Sequence, residues 1–316
     1  MALEVLEVSG LVTIQDAGRV GWRKFGVPAS GPMDVFASRA ANALAGNPPE
    51  CAVLEIGAGE ASFKARQDCV IAVAGMGYKL SVYIWEFPLW SSFFVRGGWK
   101  VSLSKTEGGM WAYLAVSGGV QTPPVLGSRS TYLRGGFGGL EGRQLQAGDI
   151  LKPGRLSRLS YELAARTVSE EARPGYRANA TIDVVMGPQI EYFSDESIKV
   201  FLSSEYLISL TSDRMGYRLD GSALPPRTST ELISEGMTSG AIQVPAGGQP
   251  IVMMADSPTT GGYPKIGVIA AADMPLLAQA EPNKSRIRFQ ETTLERAQEK
   301  YRQLMNGLYS SILEAD

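Results

Sequence analysis

Histidine is absent from the sequence. That removes Ser-His-Asp and Cys-His nucleophilic catalysis from this chain, because both need an imidazole to take the nucleophile's proton. Cysteine is nearly absent as well: Cys51 and Cys69 are the only two in 316 residues. Two thiols make no disulfide framework, and without histidine they do not complete the common zinc sites, so zinc is not expected. They read as two buried apolar thiols. Excess charge is also missing, since 30 Lys and Arg stand against 32 Asp and Glu for a net charge of −2. No basic stripe is interleaved with aromatics, which argues against a nucleic-acid partner, because neutralising phosphates takes clustered cations. No apolar run approaches the roughly 18–20 residues a membrane helix needs. The opening MALEVLEVSG carries Glu4 and Glu7 where a secretory leader is basic and then apolar. A cytoplasmic protein with no membrane partner is therefore expected, with acid–base work left to Asp, Glu, Lys, Tyr or a partner's residues.

What is plentiful is glycine and proline, 36 and 18 residues. They punctuate short runs rich in Val, Ile, Tyr and Phe: CVIAVAG around Val70–Val73, WAYLAVSGG around Tyr113–Val116, and PIVMMAD around Ile251–Met254. Runs of four to eight such residues between turn signals read as buried strands, and many of them predict a mainly β protein of barrel or sandwich type. Two helices are expected. One covers about 32–44, with Pro32 at its first position and Gly46-Asn47 at its end. The other covers about 294–313, where Leu294, Ala297, Tyr301, Leu304, Leu308 and Ile312 recur at helical spacing behind a Thr292/Glu295 capping box.

A weak internal repeat divides the chain. Arg19-x-Gly21-Trp22-Arg23, Glu55-x-Gly57 and VIAVAG in the first half are echoed by Arg214-x-Gly216-Tyr217-Arg218, Glu235-Gly236 and IVMMAD in the second. This predicts two related β-domains in tandem, 1–165 with an inserted helix and 176–290 as a barrel, followed by a C-terminal helix over 291–316. The charged stretch from about 155 to 178, with Pro174-Gly175, reads as the connection between them.

The densest group of reactive side chains lies between Ser212 and Lys265. Arg214 and Arg218, four apart in SDRMGYRLDG, suit a clamp on a carboxylate or phosphate, or equally a solvated turn with local ion pairs. Glu235 and Gln243 flank a Gly-rich turn leading into a strand. In ADSPTTGGYPKIG, Thr260, Gly261 and Gly262 can present consecutive N–H groups as an anion nest, with Lys265 as a positive charge nearby and Asp256 at a strand end. A tight turn with a structural lysine fits that spacing as well, and the phosphate-loop spacing G-x-x-x-x-G-K-[ST] is missing. In the first half, LGSRSTYLRGGFGG brings Ser128 and Arg129 into a glycine-rich loop that either follows a ligand closely or moves as a flap. It lacks the strand-to-helix step of a dinucleotide fold.

Five segments in this order, GLVTIQDAGRVGWRKFGVPASGPMD, LGSRSTYLRGGFGGLEGR, DRMGYRLDG, SEGMTSGAIQVP and MADSPTTGGYPKIG, closely resemble the family of the 5-oxoprolinase C subunit. That family is also called allophanate hydrolase subunit 2, Kip antagonist, or biotin-dependent carboxyltransferase. The resemblance runs from about residue 8 to 289 and implies a cyclophilin-like β-barrel fold. It implies ATP-dependent cleavage of 5-oxo-L-proline to L-glutamate, a small lactam or amide substrate, and the A and B subunits of 5-oxoprolinase as partners, the B subunit being Kip inhibitor-like. ATP, with Mg²⁺ in the assembled complex, is the implied cofactor. Related domains in urea carboxylase move a carboxyl group from biotin to urea. Carried onto this chain, the resemblance makes Lys265, Glu235 and Asp256 the catalytic candidates. Arg214, Arg218, Gln243, Thr260, Gly261, Gly262, Ser128 and Arg129 become the binding candidates, and no metal ligand is assigned. Gln189 stands after Gly187-Pro188 where relatives can carry histidine, and receives no role. Two further functions stay open: a carboxyltransferase component served by a separate biotin carrier, since no Met-Lys-Met acceptor is present, and a non-enzymatic antagonist of a Kip-type kinase inhibitor.

Overall fold

The structure, a computed structural model, describes residues 3–154, 160–225, 227 and 232–313. By internal contacts the chain divides into two units, one of residues 1–19, 30–173 and 305–316, the other of residues 20–29 and 174–304.

The first unit holds two seven-stranded sheets. One runs in the order Val120–Gln121, Ile150–Pro153, Leu3–Val8, Ala61–Ala65, Lys100–Lys105, Tyr78–Val82, Trp85–Phe87. The other runs Leu11–Gln15, Val53–Gly57, Trp111–Val116, Cys69–Gly75, Ser91–Val95, Thr167–Val168, Ile312–Leu313. Leu3, Val5, Phe63 and Leu103 of the first sheet share one apolar core with Ile14, Leu54, Ile71 and Leu114 of the second. Helix α1, Val35–Leu44, packs against the strands Trp111–Val116 and Cys69–Gly75. Those strands are therefore covered on both faces and every residue in them is buried, which is why CVIAVAG and WAYLAV are continuous apolar runs rather than alternating ones. Truncating a core side chain such as Leu54 to Ala is expected to cost about 2–5 kcal/mol.

The second unit is a closed seven-stranded barrel in the order Asn179–Met186, Lys265–Ile269, Ala241–Gln243, Ile251–Met253, Gly216–Asp220, Glu205–Ile208, Arg286–Glu291. A parallel pairing of Asn179–Met186 with Arg286–Glu291 closes it. Here the alternation is clean: in RIRFQE, Ile287 and Phe289 are buried while Arg286 and Arg288 are exposed, the period-2 signature of a strand with one solvated face. Helix α2, Asp195–Ser203, is capped by Ser194, whose hydroxyl accepts from the Ser197 N–H, and it stacks Phe201 on Phe289 with ring centres 4.5 Å apart. Beside the barrel lies a two-stranded ribbon, Glu235–Gly236 with Thr260–Gly261.

The mainly β class and a barrel are thus present, and several details depart from expectation. Helix α1 starts at Val35, not at Pro32, because the Asp34 carboxylate accepts the Ala37 N–H at 2.9 Å and fixes the first turn there. The segment read as a connection is largely built into the first unit. Thr167–Val168 extends a sheet, Ser92 Oγ donates to the Leu163 carbonyl at 2.6 Å, and Arg166 donates to the carbonyl of Ala43 near the end of α1. Residues 155–159 of that segment lie outside the described residues. A third helix, Met274–Ala278 (α3), follows the barrel strand Lys265–Ile269. The C-terminal helix α4 covers Leu294–Ser310 and is capped by Thr293, whose hydroxyl accepts the Arg296 N–H, so Thr292 is not the cap. Ile312 is not on its apolar stripe but pairs in a sheet with Val168. The two halves of the repeat also land on different structures. Arg19–Arg23 is loop and a short 3₁₀ turn, whereas its counterpart Arg214–Arg218 leads into a barrel strand. Among the described residues no helix is long and apolar enough to cross a membrane.

Candidate functional site

Lys265 opens the barrel strand Lys265–Ile269, and its side chain is directed at the ribbon beside the barrel. There its ammonium is paired with the carboxylate of Glu235, which sits on the ribbon. The lysine side chain is 9% exposed and the glutamate 44%, so the pair has a closed side and an open one. Gln189 completes the group: its Oε1 accepts the Lys265 N–H at 3.0 Å, and its Nε2 donates to the same Glu235 oxygen that the lysine holds. The hydrogen bonds from Lys265 and Gln189 hold the Glu235 carboxyl below its ordinary range, so it is a carboxylate and an acceptor at neutral pH.

Gln243 belongs to the adjacent barrel strand and is the direct partner of Lys265 in the ladder, which places both side chains on the same face. It is buried, and its Nε2 has no hydrogen-bond partner among the described residues. Gly261 of the ribbon lies against that amide; a Cβ there would overlap Gln243 Nε2 and the Met237 methyl. Arg23, from the 20–29 segment, donates to the carbonyls of Met237 at 2.6 Å and Pro258 at 3.0 Å, fastening the chain one residue after one ribbon strand and two before the other.

The other candidates fall differently. Asp256 is not a free acid–base or metal group: it is 6% exposed and receives Arg214 in a two-point bridge, Nε to Oδ2 at 2.8 Å and Nη2 to Oδ1 at 3.2 Å. The Arg214–Arg218 clamp is absent. Asp213 folds a turn, with its carboxylate accepting the N–H groups of Met215 and Gly216, and this turns Arg214 inward while Arg218 stays exposed. Thr260–Gly262 is not an anion nest either. Thr260 and Gly261 are extended and ladder-bonded to Glu235–Gly236, the Gly262 carbonyl accepts the Leu232 N–H, and neither glycine has the positive φ a nest requires. Ser128 and Arg129 belong to the first unit and serve Asp16 there. The carboxylate of Asp16 accepts Ser128 Oγ at 2.5 Å, Ser130 Oγ at 2.7 Å, and the N–H groups of Arg129 and Gly18. The Arg129 guanidinium bonds the Gln121 side chain at 3.0 Å. The Ser128 hydroxyl is therefore committed to the fold.

A triphosphate does not fit the cluster around Lys265. Lys265 is matched by Glu235 and Arg214 by Asp256, Arg23 is engaged by two carbonyls, and the consecutive N–H groups that a phosphate needs are used in the ribbon. What the group does offer is a cation and a carboxylate side by side with an unsatisfied buried amide next to them. That set suits a small polar molecule with both donor and acceptor edges.

Comparison with known proteins agrees with this fold. A family described as "Carboxyltransferase domain, subdomain A and B" matches residues 25–291. The 5-oxoprolinase C subunit of Escherichia coli is 40% identical over 93% of this chain and 93% of its own length, and that of Haemophilus influenzae 36% over the same shares. The urea amidolyase of Saccharomyces cerevisiae is 30% identical over 90% of this chain, which spans only 16% of that protein. Among solved structures, the K. lactis urea amidolyase superposes on all of this chain with a TM-score of 0.89 at 28% identity, this chain spanning 20% of it. TTHA0988 superposes on 92% with a TM-score of 0.83 at 32% identity, and this chain spans 55% of that one. The chain belongs to this carboxyltransferase-domain family, which it shares with the 5-oxoprolinase C subunits.

Proposed function

We propose that the chain is the C subunit of an ATP-dependent 5-oxoprolinase, cleaving 5-oxo-L-proline to L-glutamate together with A and B subunits. The reading is supported by near-full-length similarity to two proteins named as the C subunit of 5-oxoprolinase. In the site it is carried by the Lys265–Glu235–Gln189 group. In this reading Lys265 donates to the lactam oxygen and stabilises the negative charge that develops there when water adds. Glu235, held ionised, accepts a proton from that water once the substrate has displaced it from the lysine, and returns it to the ring nitrogen as the C–N bond breaks and the nitrogen leaves as the amine of glutamate. Gln189 sets the position of both. The nucleotide is assigned to a site other than the Lys265 cluster, where Lys265 and Arg214 are each paired with a carboxylate. Glutamate release from 5-oxoproline by this chain mixed with candidate A and B subunits tests the proposal. Release that requires ATP and stops when this chain is omitted is expected. A stable complex with no release would remove the reading.

A second reading, a carboxyltransferase component acting on urea or a similar amide with a separate biotin carrier, is favoured by the family's description and the full-length superposition on urea amidolyase. Turnover that avidin abolishes would select it.

A further inference from the structure

An open cavity of about 630 Å³ lies between the barrel and helix α4, and none of Lys265, Glu235 and Gln243 lines it. One wall is the strand pair Asn179–Met186 and Lys265–Ile269, the other the N-terminal half of α4. Along Asn179–Met186 the positions turned away from the barrel core are Asn179, Thr181, Asp183 and then Val185. Val185 is the ladder partner of Val268, so the solvated face of the barrel becomes apolar at this point. Helix α4 crosses that patch without filling it. Lys300 bridges Asp183 and Asp273, each at 2.7 Å, and fixes the helix on one side of the cavity. Small side chains line both walls, Ala297 on the helix and Ala270 and Ala271 on the barrel, and the space between them stays open. Leu294 lines it and is 54% exposed, so the cavity is reached from solvent.

We propose that this cavity is a binding site for a small uncharged apolar molecule, whose presence is transmitted to Gln189. Its volume falls in the range of small-ligand sites, roughly 300–1,000 Å³, and its lining is apolar as theirs is. The charge at its mouth selects the ligand class. Arg302 is the one charged residue in the lining, and Glu299 already bridges it at 2.9 Å. A carboxylate would therefore enter without a free counter-charge, whereas a neutral molecule gives up little hydration. The lining also includes Gly187 and Pro188, and the next residue is Gln189, which holds both Lys265 and Glu235. Gly187 donates to the Ile266 carbonyl at 2.8 Å, and a Cβ on it would stand 2.4 Å from the Lys265 carbonyl oxygen. This turn thus lies tight against the strand that carries the lysine. An occupant resting on Pro188 acts on Gln189 through a single planar peptide unit. No step of the proposed reaction uses the cavity, so the site stands whichever reaction the assembled complex performs.

The test adds 1-octanol or octanoate to the full chain and follows two sets of NMR resonances, the methyls of Val185, Val268 and Ala297 and the side-chain NH₂ of Gln189. Saturable shifts in both sets are expected with octanol, and binding weaker by roughly tenfold or more with octanoate. Ala297→Phe, which fills the space, should abolish the shifts at Val185, Val268 and Gln189 while thermal unfolding moves little. Leu294→Gln, at an exposed position that folding tolerates, should weaken octanol binding by roughly three- to tenfold. Octanol shifts that do not saturate, or that persist in Ala297→Phe, overturn the site and leave the groove to a partner's side chains. Octanoate binding as tight as that of octanol overturns the ligand class. Saturable binding that leaves Gln189 unmoved overturns the link to the reacting group.

Discussion

The two units each hold a polar cluster built around a carboxylate, and the clusters are opposites. Asp16 in the first unit is buried and accepts from two hydroxyls and two N–H groups, so its lone pairs are filled by the loop it organises. A second closed network stands in the same unit. Glu55, fully buried, accepts from the Tyr113 hydroxyl at 2.8 Å and the Met33 N–H at 2.7 Å, and burial beside carboxylates pushes the Tyr113 phenol well up. Glu235 in the second unit is bonded just as specifically, but nearly half of it faces solvent and the amide beside its partner has no hydrogen-bond partner among the described residues. Polar residues that are enclosed and fully bonded specify a fold; those with an open side and a spare donor are fit to bind. Motif richness alone does not make this distinction, since both clusters lie in glycine-rich segments.

The contrast can be sharpened by mutation. The largest effect is expected inside the second unit, at its own closed pair. Arg214→Met should strand Asp256 and cost about 3–5 kcal/mol in urea unfolding, and adding Asp256→Leu should recover most of that loss. Lys265→Met should lower turnover of the assembled complex by about 10²–10³-fold, roughly 2.7–4 kcal/mol in the barrier, while thermal unfolding of the chain moves little. Asp16→Ala should reverse that division. Four donors lose their acceptor, stability falls by about 1–3 kcal/mol, and the folded fraction keeps full turnover.

The smallest effect is on pH dependence. Glu235 is held below 4.5 by Lys265 and Gln189, so the ion pair is present above that value and is lost only as pH falls through the depressed one. The acid limb of kcat/KM should therefore lie below pH 4.5, and Gln189→Ala should move it upward towards the ordinary carboxylate range. An acid limb above 4.5 in the unmodified chain would show that another group sets it.

Much of the fold was legible because burial writes itself into patterns. CVIAVAG is apolar throughout since both of its faces are covered, and RIRFQE alternates since one face is wet. Local hydrogen bonds are harder to read, and they decided the caps. Asp34 caps α1 and moves its start past Pro32, and Thr293 rather than Thr292 caps α4, which starts at Leu294 as expected, because a side chain one or two residues along reaches the N–H first. The site was legible in part. Lys265 and Glu235 stood out as charges among glycines, and the ladder joins them to Gln243. The arginine pair misled because spacing says nothing of the Asp213 turn that points Arg214 inward. Gln189 and Arg23 were missed for different reasons. Gln189 is an uncharged residue after Gly187-Pro188, and only the turn ending the strand Asn179–Met186 brings it back to Lys265. Arg23 bonds carbonyls more than two hundred residues away. A strand end followed by Gly-Pro-Gln is the one signal that pointed to the former.

The most direct test of the account measures ATP-dependent glutamate release by the assembled complex with this chain unmodified, as Lys265→Met, and as Arg129→Ala. The account predicts a loss of about 100-fold or more for Lys265→Met and a rate within about twofold for Arg129→Ala. Full turnover in Lys265→Met, or a collapse confined to Arg129→Ala, would contradict it and move the reacting group to the first unit.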